Sequence, residues 1–151
     1  MSLSIIIPCF NEEKNIVSVL KYLLQTVKKY THNYEIIVID DSSQDKTSEK
    51  VKNFQKKEKN IYLFRNKLNL GYGGSFKEGL KRCKKKYVVT ATGDGETNFN
   101  ILFKYFNYTK KFNIVCTYPV GNDRGVLRNF LSSFFTKILN FFFNLNLKYY
   151  N

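Results

Sequence analysis

The sequence predicts an α/β fold, a doubly wound, mainly parallel sheet flanked by helices, and three observations carry that prediction. Short apolar runs, too continuous for a half-exposed sheet, recur along the chain. Stretches with helical spacing separate them, and the runs end in acidic or glycine-rich turns. A chain of 151 residues with 43% hydrophobic side chains can bury a core of its own. Disorder, collagen, a coiled coil and a polytopic membrane protein are therefore excluded.

The first run, Ile5-Ile6-Ile7, ends in Pro8-Cys9-Phe10-Asn11-Glu12-Glu13. A helix is expected over roughly 12–29, where Ile16, Val19, Leu20, Leu23 and Leu24 share one face. The second run, Ile36-Ile37-Val38-Ile39, closes on Asp40-Asp41-Ser42-Ser43-Gln44-Asp45 and precedes a helix over roughly 45–57. Next come Ile61-Tyr62-Leu63-Phe64, the turn Asn69-Leu70-Gly71-Tyr72-Gly73-Gly74-Ser75, and a helix over roughly 74–85. Tyr87-Val88-Val89 follows, closes on Thr92-Gly93-Asp94-Gly95-Glu96, and leads into a helix over roughly 98–109. Ile114-Val115-Cys116 reads as a last buried strand.

From Val126 the pattern changes. Val126, Leu127, Phe130, Leu131, Phe134, Phe135, Ile138, Leu139 and Phe142 repeat at i, i+3, i+4, i+7, while Asn129, Ser132, Ser133, Thr136, Lys137 and Asn140 take the opposite face. Polar residues interrupt the stripe at every turn, so it predicts a long amphipathic helix rather than a membrane span. The stripe either packs on the sheet or meets a membrane surface or a partner protein, a homo-oligomer included.

In doubly wound sheets, ligands bind at the carboxyl ends of the strands, near the point where strand order reverses. Three of the predicted strands deliver acidic residues to that rim. Capping accounts for part of this: Asn11 can cap one helix, and Ser43 or Asp45 the next. It does not account for two consecutive aspartates at a strand end, nor for the Gly-Asp-Gly-Glu turn. The glycines after Asn69 permit tight turns and close approach of backbone to a ligand, but their spacing is neither a phosphate-binding P-loop nor a full dinucleotide fingerprint.

The net charge of +13 comes from 21 Lys and only 4 Arg, beside 17 Asn and a single alanine, Ala91. A bias toward A/T-rich codons gives the same excess, so charge alone selects no partner. A nucleic-acid partner is not expected, because no such motif sits on the charge and acidic strand ends repel a phosphate backbone. Lys81-Arg82-Cys83-Lys84-Lys85-Lys86 follows a helix, where cations complement the dipole. Cys9, Cys83 and Cys116 are odd in number and far apart, and His32 is the one histidine, so neither a disulfide framework nor a zinc site is expected. The first residues enter a strand directly, without a basic leader, which reads as a cytoplasmic protein.

These strand ends resemble the family 2 glycosyltransferases with the GT-A fold, in particular the branch that transfers sugars to dolichyl or polyprenyl phosphate. Pro8-Cys9-Phe10-Asn11-Glu12 is similar to the family's opening P-x-[YF]-N-E. Tyr34-Glu35-Ile36 through Asp40-Asp41-Ser42-Ser43-Gln44-Asp45-Lys46-Thr47 is similar to its YEIIVVDDGSTDxT, and Asn69-Leu70-Gly71-Tyr72-Gly73 to its N-x-G-x-[GA] turn. One motif departs: where the family has D-x-D, this chain reads Thr92, Gly93, Asp94. Related chains also usually continue past a segment like Leu147-Lys148-Tyr149-Tyr150-Asn151.

The resemblance implies a nucleotide-sugar-binding domain over 1–125, a Rossmann-like unit, followed by an amphipathic segment over 126–151. It implies transfer of a sugar from a nucleotide-diphosphate donor, with inversion, to an acceptor that the phenylalanine-rich helix points to as a lipid phosphate. Pro8, Phe10 and Glu12 are expected around base and ribose, with Asp40 or Asp41 accepting a hydrogen bond from the nucleotide and Thr92 and Gly93 nearby. Asp94 is expected to be catalytic through a divalent cation, Mg²⁺ or Mn²⁺, with Glu96 as second ligand. Missing one carboxylate, the turn is expected to hold that cation weakly. Arg124 and Arg128 are expected at the diphosphate. The protein is then expected as a peripheral protein on the cytoplasmic face of a membrane. The alternative is a catalytically weak or inactive nucleotide-sugar-binding module, which the substitution at Thr92 suggests.

Overall fold

The computed structural model describes residues 1–115 and 126–146, in two compact units, Met1–Phe106 and Asn107–Asn151. The first unit is the expected parallel α/β sheet. Strands β1 (Ser2–Cys9), β2 (Asn33–Asp40), β3 (Ile61–Arg65) and β4 (Tyr87–Thr90) lie in the order β3-β2-β1-β4. All neighbours run parallel, with Ile5 beside Ile36, Ile36 beside Ile61 and Ile5 beside Val89. Strand order reverses between β1 and β4, which sets the expected crevice at their carboxyl ends.

Helices α1 (Ile16–Val27), α2 (Thr47–Gln55), α3 (Gly71–Leu80) and α4 (Phe99–Lys104) follow the strands. Strand periodicity sorts the core into two layers. Leu3, Ile5, Ile7, Ile36 and Val38 pack with Ile16, Val19, Leu20, Leu23, Val51, Phe99 and Phe103, whereas Ile6, Ile37 and Ile39 pack with Phe64, Phe76 and Cys83. Both faces of the two central strands are thus covered, which is why their sequences read as unbroken apolar runs.

Two details of β1 position the site. The central strand tolerates Pro8 because β4 pairs with β1 only as far as Ile6, where Ala91 N–H bonds Ile6 O at 2.9 Å, so the missing N–H of Pro8 lies beyond the last rung. Helix α3 lies close on the sheet because Gly79 has no side chain; a Cβ there would stand 2.4 Å from Ile6 Cγ2.

Several expectations are corrected. Helix α1 starts at Ile16, not near residue 12, because the Glu12 carbonyl accepts both Asn15 and Ile16 N–H in a preceding turn. Helix α3 starts inside the glycine turn and ends at Leu80, and the last predicted helix of this unit is split into α4 and a 3₁₀ turn over Phe106–Lys110. Among the described residues β3 and β4 are the outer strands of the sheet, with Tyr62 and Val88 exposed rather than buried. Ile114 and Val115 form no strand and Ile114 is 80% exposed; a three-residue apolar run lacks the length to specify a strand by pattern alone. Cys116 lies outside the described residues.

In the second unit, α5 spans Val126–Phe143, the predicted helix. Phe130, Leu131, Phe134, Phe135, Phe141, Phe142 and Phe143 on it are exposed, and Phe141 is the most open at 83%. Among the described residues no helix is long and apolar enough to cross a membrane.

Candidate nucleotide-sugar site

The loops after β1 and β2 are tied together by side chains that reach across to backbone. Asn11, held at φ +56°, donates its N–H to Ser43 Oγ (2.9 Å), and its Oδ1 accepts Gln44 N–H (2.8 Å). Glu12 N–H donates to Thr47 Oγ1 (2.8 Å), Glu13 N–H to Asp45 Oδ2 (3.0 Å), and Lys46 N–H to Glu13 Oε2 (3.0 Å). Asn11 and Ser43 therefore cap no helix; they join two loops. Asp45 does serve the start of α2, accepting Thr47 N–H at 2.9 Å. Burial alone pushes the Asp45 carboxyl up, but the Thr47 hydroxyl and the N–H groups of Glu13 and Thr47 outweigh it and hold the group below its ordinary value. Glu12 turns to Asn15, whose Nδ2 donates to Glu12 Oε2 at 2.9 Å.

The two aspartates at the end of β2 have different surroundings. Asp40 is fully buried; Oδ1 accepts Ser43 N–H (2.8 Å), Oδ2 accepts the Ser48 hydroxyl, and Arg65 Nε stands 3.9 Å away. Arg65 also donates to Ser43 O at 2.6 Å, so Asp40 is the centre of the loop's own bonding. Asp41, 4% exposed, reaches toward α3, and its Oδ1 accepts Asn66 Nδ2 (2.7 Å) and Leu70 N–H (2.9 Å). Burial pushes the Asp41 carboxyl up; bonds from Leu70, Asn66, Ser75 and Gly71 prevail and keep it below the ordinary carboxylate value.

Asp41 lines an open cavity of about 230 Å³ with Pro8, Cys9, Phe10, Asn69, Gly71, Tyr72 and Ser75. Phe10 and Tyr72 are exposed, so the cavity joins two aromatic faces to a buried carboxylate, an arrangement suited to a flat ring with an N–H donor. The Tyr72 hydroxyl lies 3.0 Å from Thr90 Oγ1, which links α3 to the end of β4. Cys9 is no nucleophile: burial and then the carboxylates of Asp40, Glu12, Asp45 and Asp41 drive its thiol far above the ordinary range, and its Sγ donates to Ile39 O (3.6 Å).

The turn after β4 lies against the end of β1. A Cβ on Gly93 would meet Cys9 Cβ at 2.8 Å and Glu12 Cγ at 3.4 Å, so only glycine allows this approach. Asp94 Oδ1 accepts the Thr92 hydroxyl (2.5 Å) and Glu96 N–H (2.9 Å). Asp94 and Glu96 are both exposed. No group of three His, Cys, Asp or Glu suited to a metal gathers among the described residues. Two hard carboxylates on one turn still fit Mg²⁺ or Mn²⁺, which takes one or two protein carboxylates and fills its other positions with phosphate oxygens and water.

The structure thus brings Pro8, Phe10 and Asp41 to one cavity and Gly93, beside Cys9, to the same end of β1, with Asp40 beneath. Arg124 lies outside the described residues, and Arg128 stands in the first turn of α5 with its side chain outside the description. The sequence reading missed Asn66, Ser75 and Tyr72. The signal for Tyr72 and Ser75 was the Asn69–Ser75 turn, which pattern alone assigned only to backbone conformation; Asn66 stands before that turn and no motif marked it.

Glycosyl transferase family 2 matches residues 4–151 of this chain. A dolichyl-phosphate beta-glucosyltransferase of Dictyostelium discoideum is 34% identical over 144 residues, covering 85% of this chain and 44% of that protein. Among solved structures, S. aureus TarS 1–349 in complex with UDP aligns with a TM-score of 0.64 at 25% identity, over 83% of this chain and 38% of that one. The mannosyltransferase PcManGT from Pyrobaculum calidifontis, in complex with GDP-Man and Mn²⁺, aligns with a TM-score of 0.51 at 20% identity, over 61% of this chain and 27% of that one, a likeness of fold. The chain spans less than half the length of each of these three proteins. The first unit has the GT-A fold, the family match runs over nearly the whole sequence, and this chain belongs to glycosyl transferase family 2.

Proposed function

We propose that this protein transfers a sugar from a nucleotide-diphosphate donor to a polyprenyl phosphate, with inversion at the anomeric carbon. The observation that carries the reading is the meeting, at the switch point of the sheet, of an aromatic-edged cavity, a buried carboxylate and an acidic turn. The base lies between Phe10 and Tyr72 and donates an N–H to Asp41, with Pro8 and Glu12 around base and ribose. Thr92 and Gly93 border the ribose, and Asp94, with Glu96 as its weaker companion, faces the diphosphate. A divalent cation bound there supplies the charge that offsets the diphosphate leaving group. Arg124 and Arg128 serve the same diphosphate through bidentate contacts. Transfer breaks the bond from anomeric carbon to diphosphate oxygen, whose electron pair leaves with the nucleotide, and forms a bond to the acceptor oxygen. A phosphate acceptor is already anionic, so no general base is required. The donor class is supported by the UDP and GDP-Man complexes of the structural neighbours, and the acceptor by the name of the Dictyostelium relative.

A thermal-shift panel of UDP-, GDP- and dTDP-sugars with and without Mn²⁺, followed by assay of transfer to a polyprenyl phosphate, tests the reading. Stabilisation by one nucleotide family, increased by Mn²⁺, and product formation are expected; no stabilisation by any donor overturns it. Thr92, standing where the family has an aspartate, favours a second reading, a nucleotide-sugar-binding module of little or no activity. Binding without transfer or hydrolysis would select it.

The acceptor reading places α5 on the cytoplasmic face of a membrane. Each phenylalanine buried in lipid contributes about 1.5–3 kcal/mol, and Phe141, Phe142 and Phe143 are open to receive it. No acid follows Asp123, so anionic head groups add attraction that salt screens. Co-sedimentation with liposomes is expected to rise with the anionic fraction, fall with salt, and weaken at least about tenfold in Phe141→Ser/Phe143→Ser. A wild type that binds no liposome removes the support that α5 gives to a lipid acceptor.

A further inference from the structure

We infer that Thr92 is a positioning residue that fixes Asp94 toward a cation that binds together with the nucleotide diphosphate. The inference rests on the proposed donor site. Ionised Asp94 can only accept, so the 2.5 Å contact spends the single hydroxyl proton of Thr92 on Asp94 Oδ1. The 3.1 Å contact between Thr92 Oγ1 and Thr97 Oγ1 must then carry the proton of Thr97, and Thr97 Oγ1 in turn accepts Thr92 N–H at 3.0 Å. The chain of bonds runs from Thr97 through Thr92 to Asp94. The Thr92 hydroxyl thus donates to Asp94 while accepting from Thr97, and that relay sets its direction.

Asp94 Oδ1 is also taken by Glu96 N–H at 2.9 Å. The carboxylate is therefore held in one orientation, with Oδ2 free of both bonds. One such oxygen, with Glu96 exposed nearby and no third donor gathered among the described residues, is a poor site for a free hard cation. Diphosphate oxygens complete it. The first aspartate of the family's D-x-D is here replaced by a hydroxyl that orders the remaining one, and ordering in advance reduces what binding must spend on fixing a mobile side chain.

The test is calorimetric titration of UDP and of GDP, each with and without Mn²⁺, on wild type, Thr92→Val and Thr92→Ser, with Mn²⁺ alone titrated by electron paramagnetic resonance. Wild type is expected to bind Mn²⁺ alone too weakly to saturate, and one nucleotide markedly better with Mn²⁺ than without. The ratio of affinities with and without Mn²⁺ is expected to fall roughly fivefold in Thr92→Val, the size of one lost hydrogen bond to an exposed charge, and to hold in Thr92→Ser. Valine keeps the shape and loses the hydroxyl; serine restores it, which a purely steric role does not predict. An unchanged ratio in Thr92→Val, or tight Mn²⁺ binding by the wild type without nucleotide, overturns the inference and leaves the donor reading in place. A wild type that binds neither nucleotide overturns both.

Discussion

Replacing Asp41 by alanine is expected to cost about 10- to 100-fold in nucleotide affinity, whereas replacing Asp40 is expected to cost stability first. The two residues are adjacent in sequence and differ in what they hold. Asp41 lines the cavity, and its bonds to Asn66 and Leu70 aim it there, so its loss removes a charge-assisted contact to the ligand. Asp40 is not among the residues that line this cavity, and it satisfies Ser43 N–H and the Ser48 hydroxyl inside the loop. Its removal leaves two buried donors without a partner, at about 1–3 kcal/mol each. Thermal unfolding and isothermal titration of the two single mutants separate these effects, and a double mutant does not. Equal losses of affinity with unchanged melting temperatures would overturn the division of roles. The same carboxylates set an acid limit. The folded values of Asp41 and Asp45 lie below the ordinary 3.8, so their contribution is fully present above that value and is lost as pH falls through the folded ones. Melting temperature is expected to be insensitive to these groups near neutrality and to drop below about pH 4, with a shallower drop in Asp41→Asn.

The central sheet was legible because both faces of β1 and β2 are covered: Ile5 and Ile7 point to one layer, Ile6 to the other, and an unbroken apolar run is the only sequence that satisfies both. Helix α1 was legible for the same reason in a different period, through Ile16, Val19, Leu20, Leu23 and Leu24, all of them buried. The edges were not, since Tyr62 and Val88 sit half in solvent and Ile114 wholly so, and a short apolar run carries no mark of which face it will meet. At the site, residue types at strand ends were readable and their partners were not. Nothing local in Asp40-Asp41 says which carboxylate turns inward, because that is set by Ser48 eight residues on and by Asn66 twenty-five residues on. The Asn11–Ser43 and Glu13–Asp45 bonds span 32 residues each, beyond the reach of any capping rule, so Asn11 and Ser43, which looked like helix caps, proved to be ties between loops, while Asp45 ties the loops and also serves the start of α2.

Asp94→Asn is expected to lower transfer by roughly 10²–10³-fold, the largest effect at the acidic turn, with Glu96→Gln well behind it. The asparagine Oδ1 can still accept the Thr92 hydroxyl and Glu96 N–H, so the turn and its orientation survive and only the charge is lost. The loss therefore measures electrostatic support of the leaving diphosphate, separate from folding. Glu96 differs because it contributes its backbone N–H to Asp94, an interaction that Gln leaves untouched, and its longer side chain must surrender more freedom to reach the same ion. Initial rates at saturating donor, taken across a Mn²⁺ series, distinguish the cases. For Asp94→Asn, the rate at high Mn²⁺ is expected to stay far below wild type. For Glu96→Gln, added Mn²⁺ is expected to restore most of it, since a weakened second ligand is offset by mass action. Wild-type rates in Asp94→Asn would move the charge-bearing position off this turn and onto the arginines Arg124 and Arg128, whose replacement would then carry the large effect.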